Sequence, residues 1–271
     1  MEVVIEAGRT YKQYWTDLWR YRELFYFLAW RDVLIRYKQT LVGVMWAVIR
    51  PLLTMIVLTL VFGGLAGMPS GNVPYPILVF CAMLPWQFFS TAVSECGNSL
   101  VSNSSLISKV YFPRMTIPSS SVIANLLDFA ICALLLAVLM LVYQYVPGPR
   151  VLLLPAFIVL MTATNLGVGL CIAAAMVQYR DFRFIVPFIV QFGLYISPVG
   201  YSSDVVPDEW RLLYSLNPMV GVIDGFRWAI LGGDTGFYWR EFLMSVIVSC
   251  GLLWSGVRYF RHAERTFADV V

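Results

Sequence analysis

The side chains that could do covalent chemistry are few, and their spacing assembles none of the usual centres. The three lysines are Lys12, Lys38 and Lys109, and none follows a glycine, so there is no GxxxxGK[ST] loop to cradle a nucleotide phosphate. A GxSxG elbow and an HExxH pair are also missing. The five cysteines, Cys81, Cys96, Cys132, Cys171 and Cys250, stand singly in or beside apolar segments, and the one histidine is His262. This argues against a zinc site, a haem or a disulfide framework, and leaves the cysteines as small packing residues. The expectation is a chain with no catalytic residue and no metal. Charge is the remaining chemistry. Glu95 lies near the end of one apolar segment, Asp128 inside another, and Arg50, beside Pro51, inside a third. Carboxylates in such positions serve the proton relays of a proton-coupled carrier; two isolated acids are more often helix–helix glue or near-surface groups. A cation at mid-membrane costs about 2.5–3.5 kcal/mol, so it is paired, lines water or snorkels to the surface.

The elements that hold these groups are membrane helices. Of 271 residues 59% are hydrophobic and 13% charged, where a soluble domain carries roughly a quarter charged. The fold class is an all-α polytopic membrane protein. The first fifteen residues contain no short apolar core ahead of a small-residue cleavage site, so the first span is expected to insert and remain. No repeat of 20–50 residues is visible. Residues 10–30 read as an amphipathic helix. Tyr11, Tyr14, Trp15, Leu18, Trp19, Tyr21 and Phe25 share one face, while Lys12, Gln13, Thr16, Asp17, Arg20 and Glu23 take the other. That pattern fits a helix lying in the membrane interface, or one packed on a partner.

Six spans follow, at about 42–67, 75–93, 119–142, 151–177, 184–200 and 241–257. Pro85 and Trp86 are expected to kink or interrupt the second, and Pro187, Gly193 and Pro198 to break the fifth. Gly167 and Gly169 in the fourth would let another helix approach closely. Between the fifth and sixth spans Pro207, Asp208 and Glu209 open one helix, with proline in the first position. Asn217 and Pro218 open a second, which Gly232 and Gly233 close. Both are too apolar for free solution and read as a re-entrant pair or as a hairpin packed on the bundle. Six spans put both termini on one side. Arg31, Arg36, Lys38, Lys109, Arg114, Arg180, Arg183, Arg258, Arg261 and Arg265 crowd that side, which makes it cytoplasmic. The helix pair then faces out.

One cytoplasmic stretch, 101–118, is polar at its start. It carries Lys109 and Arg114, and offers Asn103 or Ser104 as a helix cap. Residues 105–112 are expected to be helical, with Pro113 ending the helix. A capped basic mini-helix between two spans is a docking surface for a cytoplasmic motor, or an ordinary positive-inside loop. No matched pair of broken helices marks an inverted-repeat carrier. Energy for any work is expected to come from a separate subunit.

The order of these elements resembles the membrane subunits of type-2 ABC exporters, and most of all the branch that exports O-antigen, capsule and teichoic acid polysaccharides. The resemblance is carried by Tyr21, Arg22, Glu23 and Leu24; by Trp30, Arg31, Asp32 and Val33; and by Arg36 through Gly43 with Trp46 and Pro51. It continues through 106–114, then Asn217, Pro218 and Met219 with Gly225, Phe226 and Arg227. It implies a homodimer in the bacterial inner membrane, bound to two copies of a cytoplasmic ATPase subunit that carries the ATP and magnesium. This chain itself would hold no cofactor and bind no nucleic acid. The cargo would be a lipid-linked polysaccharide; a small lipid or drug is the alternative within the family. The resemblance divides the chain into a cytoplasmic segment, 1–40, a transmembrane domain, 41–257, and a basic tail, 258–271. The domain would contain a coupling loop, 99–117, and an outer helix pair, 203–233. ATPase coupling falls to Leu106, Ser108, Lys109, Val110, Tyr111, Phe112, Pro113 and Arg114. Trp15, Trp19 and Arg20 would form an interfacial gate, and Trp210, Tyr214, Phe226 and Trp228 an outer gate. Aromatic rings give a sugar's apolar face a flat contact, so Trp46, Trp86, Phe88, Phe89, Tyr195 and Tyr201 are the candidates to line a channel. Trp and Tyr near span ends are more often interfacial belt anchors, and that is the competing role of each.

Overall fold

The computed structural model describes residues 11–38, 41–69, 71, 73–232, 237–264 and 267. Gly233 of the expected helix stop, Arg265 of the basic tail, and Gln39 and Thr40 of the family-like motif lie outside the described residues. Among those described, the regular structure is eleven α-helices joined by short 3₁₀ and π turns, with no strand. They are α1 (Tyr11–Arg20), α2 (Arg22–Tyr37), α3 (Leu41–Leu58), α4 (Tyr75–Ser102), α5 (Ser104–Lys109) and α6 (Thr116–Val142), followed by α7 (Leu154–Gln178), α8 (Phe182–Ile196), α9 (Asp208–Tyr214), α10 (Pro218–Leu231) and α11 (Trp239–Ala263).

Among the described residues five helical segments are long and apolar enough to cross a membrane: Met45–Leu65, Tyr75–Ser102, Thr116–Val142, Pro149–Gln178 and Trp239–Ala263. α8 is apolar but has 15 residues, short of the roughly 20 that span a bilayer core. It runs through Pro187 and Gly193, where a break was expected, and stops two residues before Pro198. α4 also continues through Pro85, for 28 residues. Pro85 is buried in the bundle, and packed neighbours on several sides tolerate a proline that would break an isolated helix.

α4 is the central element and packs on α6, α7 and α10. Gly167 brings α7 against the α11 backbone: a Cβ there would lie 2.6 Å from the Leu252 carbonyl carbon. Gly169 turns the other way, and its Cβ would meet Cys96 Sγ at 2.5 Å. The two glycines thus serve two different helix contacts.

The amphipathic segment is two helices rather than one, broken at Tyr21. Tyr14, Leu18, Tyr21, Leu24 and Leu28 form one helical stripe that packs on a cluster of Leu100, Ile107, Phe112, Phe260 and their neighbours. Trp15 and Trp19, expected on the same apolar face, are exposed. In the later pair Pro207 is the residue before α9 rather than its first residue. α10 begins as its sequence implies, with Asn217 Oδ1 accepting from the Met219 N–H at 3.1 Å. It ends at Gly232, whose φ of +59° suits glycine.

Candidate functional site

Where α2 turns into α3, a cavity of about 310 Å³ opens against α4 and α6. Its wall includes Trp46, Arg50, Phe88, Glu95 and Asp128, which the sequence singles out in three separate segments. The two carboxylates are not isolated. Arg36, at the end of α2, donates to Glu95 Oε1 at 2.6 Å and to the Asp128 carboxylate. Tyr37 donates its hydroxyl to Asp128, and Asn125 donates to Glu95 Oε2 at 2.7 Å. Burial alone would pull the Arg36 pKa down, but the Glu95 and Asp128 charges outweigh it and hold the guanidinium above its ordinary value. The network therefore ties the amphipathic helices to α4 and α6.

Arg36 and Tyr37 were missed as site residues. Their partners are 59 to 92 positions away, beyond any local pattern. One signal was available: Asn125 and Asp128 stand one helical turn apart and share a face. Arg50 is exposed on the cavity wall, and its guanidinium forms no ion pair or hydrogen bond among the described residues.

At the end of the bundle where α1, α5 and the last turn of α11 meet, the 101–118 stretch forms a braced ridge. α5 stops at Lys109, three residues short of the expected Phe112, because Val110 is already extended (φ −128°, ψ 133°). Neither expected cap supplies a side-chain bond to the helix; the Asn103 amide donates instead to the Ser99 carbonyl at 2.8 Å. Ser108, Lys109, Val110 and Tyr111 are exposed, Leu106 is half-buried, and Phe112 and Pro113 are buried, Phe112 being 4% exposed. Arg114 turns inward. Its backbone N–H donates to Glu264 Oε1 at 2.9 Å and its guanidinium to the Glu264 carbonyl at 3.1 Å. Arg261 lies 4.7 Å over the Tyr14 ring. Burial pushes the Glu264 carboxyl above its usual range, with the Arg114 N–H pulling the other way. Trp15, Trp19 and Arg20 stand exposed on α1 at this same end, with the Arg22 guanidinium 5.8 Å from the Trp19 ring.

The remaining aromatics are spread through the bundle. Trp86 is buried and packs on Gly193 of α8, where a Cβ would meet its ring at 2.6 Å. Phe89 lies 5.4 Å from Trp86, centroid to centroid. Phe88 packs edge-on to Phe129. Tyr195 is exposed, and its carbonyl accepts from the Tyr201 hydroxyl, which also pairs with the Tyr214 hydroxyl at 2.9 Å. Trp210 is exposed on α9. Phe226 is 1% exposed and stacks edge-on with Phe129, so it is a core residue. Trp228 carries the Arg150 guanidinium 4.9 Å above its ring. Arg227 is also buried: it donates to the Tyr201 and Val199 carbonyls at 2.7 and 3.1 Å and fixes the chain after α8 onto α10. Among the described residues no group of His, Cys, Asp or Glu could hold a metal ion.

Comparison with known proteins adds a family. Residues 23–231 match the family described as ABC-2 type transporter. Over 258 residues the chain is 30% identical to the O-antigen export system permease protein RfbA of Myxococcus xanthus, covering 94% of this chain and 98% of that one. A protein of the same name from Klebsiella pneumoniae is 24% identical over 244 residues, covering 89% and 92%. The polysialic acid transport protein KpsM of Escherichia coli is 20% identical over 204 residues, covering 75% and 79%.

Proposed function

The chain belongs to the ABC-2 type transporter family, and we propose that it is the permease subunit of an exporter that moves a lipid-linked, O-antigen-like polysaccharide out of the cytoplasm. The cargo reading rests on end-to-end similarity to permeases named for O-antigen export. The coupling reading rests on the ridge: Lys109, Val110 and Tyr111 are exposed while Phe112 and Arg114 anchor the same segment to the bundle. A rigid anchored ridge can be pushed; a floppy loop would absorb the force.

The working unit in this proposal is a homodimer in the bacterial inner membrane with both termini cytoplasmic. Two copies of a separate ATPase subunit would bind ATP and magnesium and dock on the ridge. α8 is the fifth of six spans, and α9 and α10 are the outer re-entrant pair that gates the exit. α3, the π turn after it and α8 leave apolar faces exposed, among them Leu53, Val57, Leu60, Phe188, Phe192 and Tyr195. Those faces suit a dimer contact and a channel wall. A proton relay is the weaker reading, because Glu95 and Asp128 are both engaged by Arg36.

The test replaces Lys109, Val110 and Tyr111 together and leaves the anchors intact. The expected outcome is normal membrane insertion, loss of ATPase co-purification and loss of surface polysaccharide. Normal export from that variant would refute the docking assignment.

A further inference from the structure

The cavity beneath α2 contains an uncommitted donor pair. Arg36 is taken up by Glu95 and Asp128, to which Asn125 and Tyr37 add neutral donors. Arg50 and Gln87 line the same cavity, and neither side chain has an ion-pair or hydrogen-bond partner among the described residues. Arg50 stands nine residues after the start of α3 at Leu41, about 14 Å along the helix axis. Much of the lining is apolar, with Trp46, Pro51, Leu84, Phe88 and Phe129, and the Glu95 and Asp128 carboxylates in it are held by Arg36.

A guanidinium is a fork of N–H donors that matches phosphate oxygens two at a time, and it is less strongly hydrated than an ammonium. Within a membrane segment its anion must arrive on something that partitions into the bilayer. The apolar wall is what such a molecule's hydrocarbon would meet. We propose that this cavity binds the phosphate group of a membrane-embedded amphiphile, with its oxygens on the Arg50 guanidinium and the Gln87 amide and its chain against Trp46 and Phe88. The source is the headgroup of a lipid-linked cargo or that of an ordinary bilayer lipid. Only the first of these rests on the export reading above.

The test titrates the purified full-length permease in detergent with hexadecyl phosphate, and with hexadecanol as the matched neutral chain, followed by native mass spectrometry. Saturable binding of the phosphate, and weak binding of the alcohol, is expected. Arg50→Gln should weaken phosphate binding about tenfold, and Arg50→Lys by less, because lysine keeps the charge but loses the fork. Gln87→Glu is a second probe: the added charge repels phosphate and leaves hexadecanol binding unchanged. Equal affinity for the two ligands, or wild-type phosphate binding by both Arg50→Gln and Gln87→Glu, overturns the site. Displacement by excess phosphatidylglycerol supports a bilayer lipid as the occupant, and resistance to it supports a cargo headgroup. Should surface polysaccharide prove independent of this chain, the cargo reading falls and the titration still decides the site. Should export require the chain while phosphate preference is absent, the site alone falls.

Discussion

Arg36 holds two carboxylates, so the partners are unequal in a way that mutation can read. Arg36→Gln leaves Glu95 and Asp128 facing each other through Asn125 with no cation between them. All three side chains are partly exposed (27%, 43% and 27%), so the expected loss is about 1–2 kcal/mol rather than the 3–5 of a fully buried pair. Adding Asp128→Asn to Arg36→Gln should restore part of it by removing the repulsion. Denaturant unfolding of the detergent-purified chain measures both; an equal loss in the single and double variants would contradict the unequal-partner account. Glu264 gives a second residue-scale prediction. Its folded-state pKa lies above the ordinary 4.5, so the native chain keeps a proton that the unfolded chain has already released. Stability contributed by this group is therefore present below pH 4.5 and lost as pH rises through the window just above it. The thermal midpoint of Glu264→Gln should fall less steeply across that window than that of the wild type. At this scale the sequence was a partial guide. It marked Arg50, Glu95 and Asp128 as odd because charge is costly in an apolar segment, but the cation that joins two of them was hidden by chain distance.

Elements were legible where a local signal decides them. The Asn217 cap, the Gly232 stop and the close approaches at Gly167 and Gly169 follow from chemistry contained in a few residues. The break at Tyr21, the early end of α5 and the survival of α4 through Pro85 do not, because packing partners from elsewhere override local preference. The α7–α11 contact tests this directly. Gly167→Ala puts a methyl against the Leu252 backbone, and backbone cannot swing aside, so a loss of about 1–3 kcal/mol is expected. Gly251, on α11, has nothing within 4 Å of its would-be Cβ, and Gly251→Ala should be neutral or slightly stabilising. The ridge divides similarly. Phe112→Ala removes a buried ring and should cost about 3–5 kcal/mol in unfolding. Val110→Asp changes a residue that is 50% exposed and should stay within about 0.5 kcal/mol of wild type while it abolishes export. A Val110→Asp variant that exports normally would mean the ridge is only a connection.

As a whole, the molecule is a bundle built around α4, with two polar arrangements on which its work would depend. One is the Arg36 network, which ties the amphipathic helices to the bundle; the other is the Arg114–Glu264 clamp, which braces the ridge. Both join segments far apart in the chain, residue 36 to residues 95 and 128, and residue 114 to residue 264. Force applied to the ridge or to α1 would therefore reach α4, α6 and α11 through named contacts. Composition alone made the membrane class legible, because so few charged residues cannot cover a soluble surface. The number of spans was harder to read, since α8 is too short to be judged by length. Cargo was legible only through resemblance: an aromatic-rich membrane chain carries belt anchors whether or not it handles sugar. The central claim is therefore best tested in cells depleted of this chain, by following lipid-linked glycan across the inner membrane. The account predicts that polymer accumulates on the cytoplasmic leaflet and disappears from the surface. Unchanged surface glycan, with no cytoplasmic accumulation, would contradict it.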